Sequence, residues 1–441
     1  MKMQSSHPRA KFMVSDASKI LKRFYFLQRE CVLAQAGWTP GTVHWETKLL
    51  WPEFLWQDAL VATELRERVL ELRYPERRIE LGEDGQLVAL WRSLLRDAPS
   101  DLAFAHAMRG AIKPFLRKAF SIYLDQVDSL DDAPTVRILK QVLLDLDEQI
   151  LCLAAVQHDG DQIYSADVLA MAQKWGREVT VVLDSLSSES LLQEKAVDVS
   201  DFNLARRGAQ RFEISRLGKR DPRFSYSQIP WPDSLLPARG AGIGFELQIR
   251  QAQAHLNEIW AAEMAAAVIF DLADDAPPEF LKDAARWCFD EIRHCRMGYA
   301  RFLDWGFTKA EMPMGSYSYD IGARVDDLTR LGIIFFFETT YIHTKSDRTK
   351  SFAEFGDRIS SHDMDFDWAD ELIHSYYGKK WLEYFIEKRG LNIKPQDIKN
   401  AAENTVNSIR AEASEADKKR IEELYHATMR RARELALGKA A

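Results

Sequence analysis

The chain has 441 residues, of which 46% are apolar and 29% charged, with modest glycine and proline. This is the make-up of an ordinary soluble protein with two to three domains and enough apolar mass for sizeable cores. A net charge of −8 excludes a global basic signature for nucleic acid.

Four cysteines, at 31, 152, 288 and 295, include no CxxC pair. That excludes a disulfide framework and predicts reduced thiols in the cytoplasm. The first residues carry positive charge but no continuous apolar stretch and no small-residue cleavage site, so no signal peptide is expected. No apolar run reaches the roughly 18 residues of a membrane span. The longest, "LGIIFFFETTYI", is interrupted by Glu338.

In chain order the pattern is helical almost throughout, an all-α class. A helix is predicted after an Asp16 cap, ending near Gly37. The next runs through "WPEFLWQDALVATELRERVLELR", with Leu55, Ala59, Ala62, Leu65, Val69 and Leu72 at helical spacing. Further helices are expected in "DLAFAHAMRGAIKPFLRKAFSIYLDQV", "APTVRILKQVLLDLDEQILCLAAV" and "SADVLAMAQKWGREVTVVLDSL". Within the last of these, "VTVV" is the best strand candidate of the chain. Together these segments predict a helical domain over 15–198. It contains no ExxH and reads as a bundle lacking a metal site, a lid, a docking surface or a substrate wall. Trp38, Trp45, Trp51 and Trp56 crowd its beginning, as a packing or partner face would.

Over 199–243 the texture becomes rich in Arg, Gly, Pro and Ser with little periodicity, which predicts a linker. Its arginines suit an anionic ligand or partner, or a solvated clamp on the surface. A helical bundle is expected over 244–391, with helices at about 244–273, 278–305, 322–347 and 366–389. Two further helices fill 392–441, the last highly charged.

The second and fourth of the bundle helices contain related stretches. "DEIRHCRMG" begins at Asp290 and "DELIHSYYG" at Asp370, sharing D-E-[IL]-x-H-x-x-x-G at an offset of 80 residues. In a chain with 67 acids and 10 histidines, chance alone supplies about one or two acid-x-x-His triplets. Glu423 with His426, in the charged last helix, reads as such a decoy. The repeated context is the specific signal. Residues at i and i+3 share a helix face, so Glu291 with His294, and Glu371 with His374, can point at one inward site.

A dinuclear site in a four-helix bundle needs one more carboxylate from each remaining helix. Glu338 lies in an apolar run where an unpaired carboxylate is costly. It precedes Glu371 by 33 residues, and the same step back from Glu291 gives Glu258, itself 80 residues before Glu338. Glu263, on the stripe of Leu256, Ile259, Ala266 and Phe270, is an alternative to Glu258. Five residues apart on a helix, the two cannot readily bind one ion.

The set Glu258, Glu291, His294, Glu338, Glu371 and His374 resembles the ferritin-like di-iron carboxylate superfamily, with its E…ExxH…E…ExxH four-helix bundle. The resemblance covers about 245–390. Within the superfamily, "HLNEIWAAE" and "DELIHSYYGKKW" look most like an uncharacterised bacterial branch near the tRNA-hydroxylase type. It implies two iron ions, with manganese or mixed Fe/Mn as alternatives. It implies Asp290 and Asp370, each just before ExxH, as acceptors that orient the ligand histidines across the bundle. Tyr341, Tyr376 and Tyr377 lie near the ligand level, as redox or substrate groups or as ordinary core. His343 is an extra ligand or an ordinary histidine.

The implied activity is a non-haem di-iron oxidase or oxygenase using O2 on an unidentified substrate, with an electron-donor protein as a further partner. The alternatives are a metal-binding or scaffold protein of the same fold, buried ion pairs without metal, and iron oxidation and storage.

Overall fold

The computed structural model of the chain describes residues 11–156, 163–202, 212–227, 242–340 and 342–438. These are helical almost throughout, so the all-α class holds. The chain separates into two compact units, Met1–Trp38 with Phe54–Glu213, and Thr39–Glu53 with Ile214–Ala441.

The first unit is built from α1 (Val14–Trp38), the later part of α2 (Trp45–Leu72), α3 (Gly85–Arg96), α4 (Asp101–Ala107), α5 (Lys113–Gln126), α6 (Ala133–Ala155) and α7 (Ala166–Leu186). A π-helical turn, Met108–Ile112, joins α4 to α5. The division between the units falls inside α2, next to Pro52. Helix α1 starts two residues before Asp16, whose carboxylate accepts from the Met13 N–H at 3.0 Å. "VTVV" is helical, inside α7. Apolar periodicity outweighs the weak strand preference of a few β-branched residues.

This unit buries charge in its core, at the Arg23–Asp84 pair and in a cluster around Asp58. The Asp58 carboxylate accepts from Gln35 Nε2 at 2.5 Å and from Gln149 Nε2 at 3.2 Å. It also forms an ion pair with Lys113. Asp58 and Lys113 are both fully buried, so one carboxylate meets one ammonium.

The second unit contains β1 (Ser225–Ser227), α8 (Gly244–Asn257), α9 (Ile259–Leu272), α10 (Pro278–Trp305), β2 (Pro313–Gly315), α11 (Asp327–Thr340), α12 (Ile342–Phe355), α13 (Arg358–Lys388), α14 (Pro395–Ala411) and α15 (Glu415–Gly438). Helices α8 and α9 pack on α10, α12 and α11 pack on α13, α9 packs on α11, and α10 on α13. Their apolar faces meet in the middle. Trp45, from the segment that joins this unit from early in the chain, is buried with Phe224, Leu256, Ile292 and Phe302.

Several elements of this unit differ from the sequence-based expectation, α13 among them, which begins at Arg358 rather than near 366. The helix expected over 244–273 is broken at Glu258. There the Asn257 side chain donates to the Gln253 carbonyl at 2.9 Å and to the Pro313 carbonyl at 3.2 Å, and accepts from the Gly315 N–H at 2.9 Å. A side chain competing for the helical ladder kinks it. The turn tightens, with Glu258 N–H donating to the His255 carbonyl at 2.9 Å.

The helix expected over 322–347 begins instead at Asp327, and its continuation reaches Phe355. Part of the 199–243 stretch is structured. Ser225–Ser227 pairs in parallel with Pro313–Gly315, strands too short to show alternation in sequence. Arg216 binds Asp271, Arg220 binds Glu263 and Arg223 binds Asp221, so these arginines serve internal carboxylates. Residues 203–211 and 228–241 of that stretch lie outside the described residues. No helix of the described residues is long and apolar enough to cross a membrane.

Candidate metal centre

Helices α10 and α13 carry the two ExxH pairs. Pro278 occupies the first turn of α10, where its missing N–H is harmless. Gly306, at φ 95°, closes its end in the left-handed region. Asp357 caps α13 by accepting from the Ser360 N–H at 3.1 Å. The glycine that ends each repeat lies one turn beyond the histidine. A Cβ on Gly298 would sit 2.3 Å from the Ala252 carbonyl oxygen and from the Leu256 nitrogen, and one on Gly378 would sit 2.4 Å from the Phe335 ring. The glycines let α8 and α11 press against the helices that bear the ligands.

All six predicted ligand residues come together. Glu291, Glu338, Glu371 and His374, all buried, place one donor atom each within 4.8 Å of one another. Glu258, Glu291 and His294 do the same, as do His294, Asp367 and Glu371, and His255, Glu258 and Asp367. The donors therefore form a continuous row along the interior. His374 Nδ1 faces Glu291 Oε1 at 3.0 Å and Glu338 Oε2 at 3.7 Å. His294 Nδ1 faces Glu258 Oε2 at 3.4 Å, Asp367 Oδ1 at 3.6 Å and Glu291 Oε2 at 3.7 Å. The Glu258 side chain is 20% exposed, so one end of the row reaches solvent.

Asp290 and Asp370 orient the imidazoles crosswise. His374 Nε2 lies 3.3 Å from Asp290 Oδ2, and His294 Nε2 lies 3.3 Å from Asp370 Oδ2. A proton on each Nε2 leaves each Nδ1 lone pair directed into the row. Arg286 and Arg293 close the outside. Arg286 donates to Asp290 at 2.7 Å and Arg293 to Asp370 at 3.0 Å. Against burial, His374 and then Arg286 hold Asp290, and His294 and then Arg293 hold Asp370, below the usual carboxylate range.

The remaining candidates lie elsewhere. Glu263 is buried between Lys48, at 2.5 Å, and Arg220, at 2.7 Å. Its charge is already neutralised and it belongs to none of the donor groups. His343 is exposed and also outside them. Tyr377 is half-buried beside Asp283 and Arg286, and Tyr376 is exposed. Tyr341 lies outside the described residues. Cys288 and Cys295 donate to the Ala262 and Leu256 carbonyls at 3.3 and 3.2 Å, and burial pushes both thiols up. They fill the core between helices. Glu423 and His426 are exposed on α15.

Three neighbours carry no signal in the repeat. Asp367, fully buried, lies one turn before Glu371 on α13. Lys345, from α12, places its Nζ 2.5 Å from Asp367 Oδ1 and 2.8 Å from Glu371 Oε1. Trp287 donates to Glu338 Oε1 at 3.2 Å and stacks on His374 with centroids 5.4 Å apart. The i−4 spacing of Asp367 from Glu371 is the signal that could have found it.

The electrostatics favour a cation. Five buried or half-buried carboxylates (Glu258, Glu291, Glu338, Asp367, Glu371) face one another with Lys345 as the ammonium among them. Burial and the adjacent Glu338 push the Glu371 carboxyl well above its ordinary range. Burial alone would lower both histidines, yet the facing carboxylates, Asp367 and Asp370 for His294 and Asp290 and Glu291 for His374, hold them well above it. Glu258 Oε2, Glu291 Oε1, Glu338 Oε2 and both Nδ1 atoms are buried without a hydrogen-bond partner. Such atoms are costly unless something binds them. Carboxylate oxygens with imidazole nitrogens suit iron or manganese, so the residues fit such an ion.

Comparison of the chain with protein-family models, with curated proteins and with solved structures finds no match.

Proposed function

We propose that the second unit is a ferritin-like di-metal bundle and that the protein is a di-iron oxidase or oxygenase. The observation that carries this reading is the inward row of donors that lack hydrogen-bond partners, in which two Nδ1 atoms are each held in place by an aspartate of the other ExxH helix. A pair of iron ions here supplies two-electron chemistry with O2.

The chain's own residues do the rest. Glu258, Glu291, Glu338 and Glu371 provide the anionic oxygens. His294 and His374 provide neutral nitrogen, each keeping its proton on Nε2 toward an aspartate. Trp287 fixes the rotamer of Glu338 through its N–H and covers His374 with its ring. Helices α9 and α11 pack on each other with mostly buried apolar residues, and Glu258 is the one partly exposed residue of the six.

The test is metal analysis after anaerobic iron loading, followed by an absorption spectrum on adding O2. The expected result is bound iron and a transient visible band. Protein that stays metal-free after loading overturns the reading.

A further inference from the structure

The 80-residue offset that relates the ligands also exposes where the two halves of the centre differ. Glu258, Glu291 and His294 map onto Glu338, Glu371 and His374. The match extends to packing, since Gly298 abuts His255 and Gly378 abuts Phe335, and 255 and 335 are again 80 apart. Three positions break the correspondence. Ala265 maps onto Lys345, Trp287 onto Asp367, and His255 onto Phe335. Each substitution adds polarity on the same side. Trp287 and Phe335 lie with His374 and its glycine, whereas Asp367, His255 and Lys345 lie around His294 and Glu258.

Resting on the metal-centre reading above, we propose that Lys345 is a built-in cation of the second position and makes the two positions unequal. One divalent ion binds tightly at Glu291, Glu338, Glu371 and His374. A second ion, at Glu258 and His294, binds only by drawing Asp367 and Glu371 away from the Lys345 ammonium. The geometry requires this competition. The Nζ lies 2.5 Å from Asp367 Oδ1, the same oxygen that stands 3.6 Å from His294 Nδ1. It also lies 2.8 Å from Glu371 Oε1, on the carboxylate that would bridge two ions. Two cations sharing those oxygens in a dry site repel each other strongly. The first position has an indole and an aromatic ring where the second has a carboxylate and an imidazole, so there the ammonium reaches only one ligand, Glu371, and leaves the other three to the ion.

The test is an anaerobic titration of the full chain with Mn2+, read by equilibrium dialysis with metal analysis and by electron paramagnetic resonance. The expected wild-type result is one ion bound first, with the signal of an isolated Mn2+, and a second at least about tenfold weaker. Lys345→Met should tighten the second step by about tenfold or more and leave the first within about threefold. Because Lys345→Met strands Asp367, the second variant Lys345→Gln, which removes the charge but keeps an amide donor toward Asp367, should show the same closing of the gap. Two ions of equal affinity in the wild type overturn the inference and leave the metal-centre reading intact. So does a second step that neither variant moves. Absence of any bound Mn2+ overturns the metal-centre reading itself.

Discussion

Each unit buries charge between helices, and the two do it in opposite ways. In the first, Asp58 meets Lys113 and the amides of Gln35 and Gln149, so the charges cancel within the chain. In the second, five carboxylates face one another around Lys345 and two imidazoles, and oxygens of Glu258, Glu291 and Glu338 accept no hydrogen bond. Burying a matched pair adds little net stability, whereas removing one partner of it is severe. Burying a surplus of one sign is tolerated when something else brings the opposite charge. The first arrangement is closed within the chain, and the second leaves buried donor atoms without hydrogen-bond partners.

That contrast can be broken by experiment. The largest effect is expected for Asp58→Asn, which leaves Lys113 buried without its counter-charge. It should destabilise the first unit by about 3–5 kcal/mol, and by the same amount with or without chelator in urea unfolding. A chelator-dependent loss would mean that the two clusters are not different in kind. Next comes the metal itself. At a free ion concentration about a hundredfold above Kd, the second unit should gain about 2.7 kcal/mol, seen as a rise in its thermal midpoint. His374→Ala should remove most of that gain and His294→Ala a smaller part, each lowering metal content with the other position less affected. Full metal content in both variants would erase the comparison.

Packing sharpens it further. Gly298→Ala drives a methyl into the backbone of α8 and should cost about 1–3 kcal/mol. Gly378→Ala meets only the Phe335 ring, which can shift, and should cost less. The pH dependence follows from the groups held high. His294, His374 and Glu371 favour their protonated forms in the metal-free fold. The stability they lend is complete below the ordinary values, 6.5 for histidine and 4.5 for glutamate, and is lost as pH rises through the folded ones. Metal-free protein should therefore weaken above neutral pH by up to about 1.4 kcal/mol per pH unit for each proton, measured as the urea midpoint. Metal binding should strengthen over the same range. The smallest effect is Glu423→Ala, within about 0.5 kcal/mol and without change in bound metal.

Much of the helical pattern and the six donor residues were legible, because i,i+3 pairing and a repeated offset are local features of the chain. The rest depended on distance. Spacing favours Glu258 but leaves Glu263 as an alternative until Lys48, 215 residues away in sequence, is seen to neutralise it. Lys345 lies in "HTKSDRTK" and Asp367 in "SSHDMDFDWADE", charged stretches that read as solvated helix. Nothing local distinguishes the lysine that turns inward, and only the i−4 spacing from Glu371 singles out the aspartate. The α3 helix was missed after the Gly and Pro signals that precede it, and the two short strands were invisible to periodicity.

The kink at Glu258 has a consequence for helical phase. A regular α-helix turns about 100° per residue and a tightened 3₁₀ turn about 120°. One overwound turn rotates everything after it relative to everything before. Leu256 and Ile259 both remain in the core on either side of the break, while Glu258 is aimed at His294. The amide of Asn257, anchored on β2, sets that rotation. Asn257→Leu would let the helix run straight and swing the Glu258 carboxylate out of register, so the aim of that carboxylate is dictated by hydrogen bonds to β2.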